Sequence, residues 1–201
     1  MKQLFAAGAL ALAMLATPAA AQEAAKNVAI TEMTLGPEDA RVTIIEYASF
    51  TCPHCASFHT GPFKALKAEY IDTGKVHFVY RDVFFDRFGL WASMVARCGG
   101  AEKFFGIAEM LYEQQRDWAQ GEPVAIADNL RRIGKLAGIA PDTLEACLGD
   151  QDKARALVEW YQANATAHDV NSTPTLIINE KKYGNMAYAD LKAIIEEKLA
   201  E

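Results

Sequence analysis

The sequence predicts an α/β domain that is interrupted by a block of helices. Two segments rich in β-branched and aromatic residues, VTIIEYASF (42–50) and VHFVYR (76–81), flank a stretch of helical character. Helix-like periodicity then continues from about residue 88 to about residue 170, and a strand pattern returns in TLIIN (175–179). This order of sheet, helices and sheet is typical of a helical unit inserted into an α/β domain.

The first strand and the segment after it predict a β-α-β unit. VTIIEYASF is apolar almost throughout, which suits a strand buried on both faces of a sheet. It leads directly into TCPHC, and CASFHTGPFKALKAEYI then has helical character, with a break expected at Gly61-Pro62. Gly74 ends this region before VHFVYR. Strands joined in this way are expected to be parallel, with the helix crossing one face.

The helical block is predicted from apolar stripes that recur every three or four residues. The stripes are Trp91, Met94, Val95 and Cys98; Phe104, Phe105, Ala108, Leu111 and Tyr112; Ile126, Leu130, Ile133 and Ala137; Leu144, Cys147 and Leu148 after Pro141; and Leu157, Trp160, Tyr161 and Asn164. This spacing places each stripe on one helix face, and such faces usually pack in the core. The last helix is predicted near ADLKAIIEEKL (189–199).

The N-terminus has the pattern of a cleavable export signal. Lys2 is followed by 13 apolar or small residues, LFAAGALALAMLA, and then by the small residues Ala19-Ala20-Ala21. A spanning helix needs about 20 apolar residues, so this segment is too short for a membrane anchor. We predict that residues 1–21 are removed after Ala21. Export places the mature protein in an oxidising compartment, where disulfides persist.

The charge of the predicted mature chain argues against two classes of partner. Without Lys2, the 20 Lys and Arg fall to 19 against 26 Asp and Glu, a net charge of −7. Neither nucleic acid nor an anionic membrane surface is therefore expected as the main partner.

The CPHC segment has four interpretations. A zinc site would need a second pair of ligands at similar spacing, and the two other cysteines, Cys98 and Cys147, are 49 residues apart. Thiolates also suit Cu(I), but no methionine cluster lies near this segment. A purely structural disulfide would close a loop too short to restrict the unfolded chain much. The remaining interpretation is a redox-active dithiol, and no metal is expected.

The position of the pair favours the redox interpretation. Cys52 follows a predicted buried strand and opens a predicted helix, where unpaired backbone N–H groups and the helix dipole stabilise an anion. Pro53 suits the first helical turn, and a donating or protonated His54 would add to this stabilisation. Such sites lower a thiol pKa from about 8.5 to roughly 3.5–7.5. A stable thiolate favours the reduced protein and makes its disulfide a good oxidant.

The chain resembles the DsbA-type thiol–disulfide oxidoreductases of the bacterial periplasm. The resemblance rests on EYASFTCPHCASF, on STPT at 172–175 and on the interrupted α/β order, and it covers essentially the whole mature chain. It implies a thioredoxin-like fold with an inserted all-helical domain. The implied thioredoxin-like domain comprises residues 22–86 and 172–201, and the helical domain comprises residues 87–171.

The same resemblance implies roles for individual residues. Cys52 would be the exposed nucleophile and Cys55 its buried partner. The bond between Thr173 and Pro174 would be a cis peptide beside the disulfide, with the Thr173 backbone pairing with an extended substrate. Some relatives carry Val in place of Thr173, and a hydroxyl there could alter the redox poise.

Three further predictions concern residues away from the CPHC turn. Glu46 is either a buried acid that relays the proton of Cys55 or a strand-end residue paired with a base such as Arg81. His59 is expected at the surface or rim. Cys98 and Cys147 lie on inward stripes, and a structural disulfide is expected, with two buried thiols as the alternative; some DsbA-like proteins are similar in this respect.

The sequence therefore predicts a periplasmic oxidase of secreted proteins with free thiols. No cofactor is expected, and the resemblance implies a membrane quinone-linked partner that reoxidises Cys52. Residues 22–40 leave no room for the dimerisation domain of an isomerase, which favours a monomer. Two alternatives remain open: a reductase of the same fold, for example for cytochrome maturation, and a non-enzymatic copper-binding or holdase module.

Overall fold

A computed structural model describes residues 28–201, so the predicted signal segment lies outside the described residues. The helices and strands are β1 (Met33–Leu35), β2 (Val42–Ala48), α1 (Pro53–Thr60), α2 (Pro62–Leu66), β3 (Val76–Asp82), α3 (Arg87–Cys98), α4 (Gly100–Glu113), α5 (Gln115–Trp118), α6 (Pro123–Leu136), α7 (Pro141–Gly149), α8 (Gln151–Ala167), β4 (Thr175–Ile178), β5 (Lys181–Tyr183) and α9 (Tyr188–Ala200). A π-helical turn, Lys67–Ile71, extends α2.

The strands form one mixed sheet in the order β1-β3-β2-β4-β5. β2 and β3 are parallel, as predicted, with a register that runs from Val42 opposite Val76 to Ala48 opposite Asp82. The other pairs, β1 with β3, β2 with β4 and β4 with β5, are antiparallel. The predicted α/β class with a thioredoxin-like sheet and inserted helices is confirmed. The sequence did not predict β1 and β5, because three residues are too few to show a period.

The crossover between the two parallel strands breaks where the sequence predicted. α1 ends at Thr60 and α2 begins at Pro62, since proline has no N–H to continue the helical bonding. Both helices pack Phe58, Phe63 and Leu66 into the core against the sheet. The start of α1 is thereby held at the carboxyl end of β2.

The helices α3 to α8 form the block that separates β3 from β4 along the chain. Cys98 at the end of α3 and Cys147 in α7 form a disulfide with an S–S distance of 2.04 Å and a Cα–Cα distance of 5.8 Å. A buried ion pair connects the block to the sheet, since Arg97 donates from Nε and Nη2 to Asp82 at 3.0 and 2.7 Å. The limits of the two domains, at residues 87 and 171, stay a prediction.

The far face of the sheet is covered by the end of α8. The hydroxyl of Tyr47 on β2 donates to the carbonyl of Asn164 at 3.1 Å and lies 2.7 Å from Nδ1 of His168. It also accepts a hydrogen bond from Arg81 at 2.9 Å. The helical block therefore touches both faces of the sheet at the end that carries the CPHC turn.

Within residues 28–201, no helix combines the length and the apolar character needed to cross a membrane.

Candidate active site

Cys52 is the N-cap of α1, and Pro53 is its first helical residue. β2 ends at Ala48, and the chain turns so that the N–H of Cys52 donates to the carbonyl of Ser49 at 3.1 Å. Proline suits the first helical position because its missing N–H would have no partner there. The sulfur of Cys52 therefore lies where the helix presents its unpaired N–H groups.

Both residues of the predicted redox pair, Cys52 and Cys55, are free thiols and both are buried. Cys55 is 0% exposed and Cys52 is 7% exposed, so the expectation of an exposed Cys52 is wrong. The loop before β4 accounts for part of this burial, because the Cys52 thiol donates to the Thr173 carbonyl at 3.6 Å. The Thr173–Pro174 peptide bond is cis, and Pro174 is buried.

The two thiols have opposite pKa shifts. A hydrogen bond from the side chain of Cys55 lowers the pKa of Cys52 most, and the Thr173 side chain and the backbone N–H groups of Cys55 and His54 lower it further, to about 5. Burial acts in the opposite direction on Cys52 but does not outweigh these donors. Burial raises the pKa of Cys55 far above its usual range, and the carboxylate of Glu46 adds to the effect. One sulfur is thus an anion near neutral pH and the other holds its proton.

The stabilisation of Cys52 by His54 comes from the backbone and not from the ring. The side chain of His54 is exposed, and among the described residues it makes no hydrogen bond to Cys52. The contribution of His54 comes from its N–H in the first turn of α1, which adds to the larger effect of Cys55 in lowering the pKa of Cys52. The helix N-terminus therefore supplies the donors that the sequence attributed partly to the imidazole.

Glu46 has a different partner from the one that the sequence offered. It is completely buried on β2, and its Oε2 is 2.8 Å from Nε2 of His59. Arg81 pairs instead with Glu32 and Tyr47, so the alternative in which Glu46 pairs with Arg81 is wrong. The other carboxylate oxygen of Glu46, Oε1, is buried without a hydrogen-bond partner among the described residues.

His59 is a core residue, and the expectation of a rim position is wrong. It is 5% exposed, and its ring stacks on Tyr112 of α4 with centroids 4.2 Å apart and an interplanar angle of 14°. His59 follows Cys55 by four residues, so both side chains lie on one face of α1. This spacing could have predicted that His59 is buried, because Cys55 was expected to be buried and the two residues share a helix face.

Side chains from the helical block hold the loop before Cys52. Gln115 donates from Nε2 to the carbonyls of Phe50 and Cys52 at 2.8 and 2.9 Å. Asp86 caps α3 through the N–H groups of Phe88 and Gly89 and also accepts a hydrogen bond from Thr51 at 2.9 Å. Sequence reasoning missed Gln115 and Asp86, because nothing local connects them to the CPHC segment.

The arrangement is suited to thiol–disulfide exchange. A low-pKa thiol can attack or leave as a thiolate, and a neighbouring thiol of high pKa can take up a proton. Among residues 28–201, no group of three or more His, Cys, Asp and Glu side chains is placed to hold a metal ion.

The amino-acid sequence is similar to that of known disulfide-forming proteins. The model of a family described as Thioredoxin matches residues 28–197. The Bacillus subtilis disulfide bond formation protein D is 30% identical over 172 residues, which cover 82% of this chain and 76% of that protein. A Rickettsia bellii protein, named as a protein-disulfide oxidoreductase, is 31% identical over 171 residues, which cover 85% of this chain and 65% of that protein. This chain thus spans just under two thirds of the Rickettsia relative.

Solved structures of similar fold include two proteins that are 26% and 27% identical to this chain. The crystal structure of Wolbachia pipientis alpha-DsbA1 has a TM-score of 0.79 and 26% identity, with 84% of this chain and 91% of that chain covered. The oxidised BdbD of Bacillus subtilis has a TM-score of 0.75 and 27% identity, with coverage of 85% and 94%. Both structures extend over the sheet and the helical block.

Proposed function

Because the chain belongs to the DsbA-like group of the thioredoxin family, we propose that it is a thiol–disulfide oxidoreductase whose redox pair is Cys52 and Cys55. The observation that carries the proposal is the opposite shift of the two thiol pKa values within one helical turn. A structural disulfide does not require two thiols of different pKa. Thiol–disulfide exchange does, because one sulfur must attack or leave easily as a thiolate.

The reaction proceeds in two exchanges. A substrate thiolate attacks Cys52 of the disulfide, so that a bond forms to Cys52 and the bond to Cys55 breaks. A second substrate thiolate then attacks the substrate sulfur and expels the Cys52 thiolate. The substrate loses two electrons and gains a disulfide, and the protein gains the electrons as a dithiol. The proposed contact for an extended substrate is the backbone of Thr173, whose carbonyl lies 3.6 Å from the Cys52 sulfur.

Cys55 needs a proton in the first exchange. It is released as a thiolate into a site where burial keeps its pKa high, so the anion is unstable until it is protonated. Glu46 is the buried acid whose charge acts on Cys55, and its unpaired Oε1 is free to carry a proton. Glu46 is therefore the proposed proton relay of the redox pair.

The proposed direction is oxidation of the substrate. A pKa of about 5 at Cys52 stabilises the dithiol form, because its thiolate persists at neutral pH, and this makes the disulfide form a strong oxidant. The proposed substrates are unfolded secreted proteins with free thiols. A DsbB-like, quinone-linked membrane protein is the proposed reoxidant, and the proposed setting is the periplasm, with the protein acting as a monomer without a cofactor.

The direction is tested by the reduction potential of the Cys52–Cys55 pair. The protein is equilibrated in glutathione buffers with Cys98 and Cys147 intact, and the free thiols are trapped with an alkylating reagent and counted by mass spectrometry. We expect roughly −120 to −180 mV, the range of oxidants. A potential near −270 mV, as in thioredoxin, would identify a reductase and overturn the proposed direction.

Enzymatic exchange is distinguished from a copper-binding or holdase role by trapping. A Cys55→Ser variant lacks the second thiol, so mixed disulfides with substrates should accumulate at Cys52. A Cys52→Ser variant is the matched control and should trap none. If neither variant traps a reduced, unfolded substrate, the exchange mechanism is wrong.

A further inference from the structure

A cavity of about 240 Å³ lies between α1, α2 and α4. Its inner wall includes His59, Phe63 and Tyr112. Its mouth carries Lys64 and Glu109, whose side chains are 49% and 57% exposed, so the cavity communicates with solvent. The buried imidazole of His59 thus forms part of the wall of this cavity.

His59 connects the cavity with Glu46. His59 and Tyr112, whose rings stack on each other, both line the cavity, and Nε2 of His59 is 2.8 Å from Oε2 of Glu46. Glu46 in turn acts on Cys55 through its charge and keeps Oε1 unpaired. The order from solvent inward is therefore the cavity, the His59 imidazole that lines it, the Glu46 carboxyl bonded to that ring, and the Cys55 thiol on which the charge of Glu46 acts.

We propose that His59 is the entry point for the proton that Cys55 takes up, and that the cavity is its route from solvent. This inference rests on the proposed thiol exchange. His59 acts through Glu46 and is a positioning and proton-transfer residue, not a group that touches the substrate. The proposal gives a role to His59, which the exchange reaction described above does not use.

The proton balance of the step is as follows. The substrate thiolate forms a bond to the Cys52 sulfur, and the electrons of the broken disulfide bond go to Cys55. The imidazolium of His59 passes its proton to the Glu46 carboxylate, and the carboxyl so formed gives a proton to the Cys55 thiolate, which leaves Glu46 charged again. The neutral imidazole then takes a proton from water in the cavity. The sum is the uptake of one proton from solvent for each mixed disulfide formed.

The other titratable groups around His59 are poorly suited to this transfer. Burial raises the pKa of Tyr80 on β3 and of Tyr112 on α4 well above their usual value, so both phenols stay neutral. At the mouth of the cavity, Lys64 is held by Glu109 and Glu113. The remaining charged residue of the wall, Lys67, pairs with Asp72. An imidazole is the side chain that exchanges protons readily near neutral pH.

Chemical rescue tests the proposal, with wild-type protein and variants His59→Ala and His59→Gln. The oxidised protein is mixed with glutathione, quenched in acid at set times, alkylated and analysed by mass spectrometry for loss of the Cys52–Cys55 disulfide. We expect both variants to react about 100-fold more slowly than wild type at neutral pH, as when a general acid is lost. Free imidazole should restore most of the rate of His59→Ala, because the vacated ring site opens onto the cavity.

Two controls separate proton transfer from packing. Pyrazole has the shape of imidazole but stays unprotonated at neutral pH, so it should fill the site of His59→Ala without restoring the rate. His77, another largely buried histidine, contacts the carbonyl of Gly36 and lies outside this path. His77→Gln should therefore keep the wild-type rate with and without imidazole.

The outcomes are decisive in either direction. Rescue by imidazole but not by pyrazole supports the proton route, and His59→Gln should stay slow because its side chain fills the site. Equal rescue by both rings, or a wild-type rate in His59→Gln, would overturn it in favour of a structural role. If His59→Ala does not fold, the exchange rate of His59→Gln alone tests the proposal: a slow rate supports it and a wild-type rate overturns it. A wild-type protein that is inert towards glutathione would instead refute the proposed exchange itself.

Discussion

The side-chain amide of Gln115 donates a hydrogen bond of 2.9 Å to the backbone carbonyl of Cys52. The same nitrogen donates to the carbonyl of Phe50 at 2.8 Å. Gln115 is buried and begins α5, within the helical block, whereas Cys52 is the N-cap of α1 in the sheet region. The block therefore fixes the turn from which the redox pair emerges, and this relationship gives a first prediction.

We expect Gln115→Leu to lower the free energy of unfolding by about 1–3 kcal/mol, since two buried carbonyls lose their donor. Urea unfolding followed by circular dichroism measures the loss, with an unchanged slope against urea concentration. Gln120→Leu is the matched control because Gln120 is exposed, and it should be nearly neutral. Equal stability of the two variants would show that the contact does not hold the turn.

The pKa of Cys52 predicts how its reactivity depends on pH. The rate of alkylation by iodoacetamide should be half-maximal near pH 5, because the pKa of Cys52 is lowered to about 5 and only the thiolate reacts. Cys52→Ser should remove this phase of the reaction. A midpoint near pH 9, the ordinary value for a thiol, would refute stabilisation of the thiolate by the helix N-terminus and Cys55.

The same shift makes the stability of the reduced protein depend on pH. Between pH 5 and pH 9 the unfolded chain keeps the proton of Cys52 and the folded protein does not, so folding becomes more favourable as pH rises. The stabilisation is complete above pH 9 and is lost as pH falls through 5. Its slope is at most about 1.4 kcal/mol per pH unit. Urea unfolding of a reduced Cys98→Ala/Cys147→Ala protein measures it, and adding Cys52→Ser should flatten the profile.

The side chain of Thr173 predicts the direction of a redox change. Because it lowers the pKa of Cys52, Thr173→Val should raise that pKa and shift the midpoint of alkylation upward. The reduction potential should become more negative by about 30 mV for each pKa unit, since the dithiol form loses stabilisation. Ser172→Ala, an exposed change in the same loop, is the control. A less negative potential in Thr173→Val would contradict this account.

The crosslink between α3 and α7 predicts a loss of stability. The Cys98–Cys147 disulfide closes a loop of 49 residues, worth about 4 kcal/mol in the chain-entropy account. Cys98→Ala/Cys147→Ala should therefore unfold at lower urea concentration, by up to that free energy. Cys98→Ala alone serves as the control and should lose a similar amount, because either change removes the crosslink. Unchanged unfolding of the double variant would assign the stability of the block to packing alone.

The sequence alone was sufficient for the features that depend on neighbouring residues. The strand at 42–50, the helix break at Gly61-Pro62 and the parallel pairing of β2 with β3 all follow from local periodicity and from the length of the crossover. The N-cap position of Cys52 follows as well, since Pro53 directly after it fixes where the helix can begin. The helix start then supplies N–H donors to the sulfur.

Only the tertiary structure determined which residues of the site are buried and which side chains contact them. The spacing of His59 from Cys52 did not reveal that α4 would place Tyr112 on its ring and β2 would place Glu46 at its Nε2. Gln115 reaches the Cys52 carbonyl across 63 positions of chain. Local pattern sets the direction of a side chain within its own helix or strand. Its burial and its hydrogen-bond partners depend on elements that are distant in sequence, and those contacts form only when the whole domain packs.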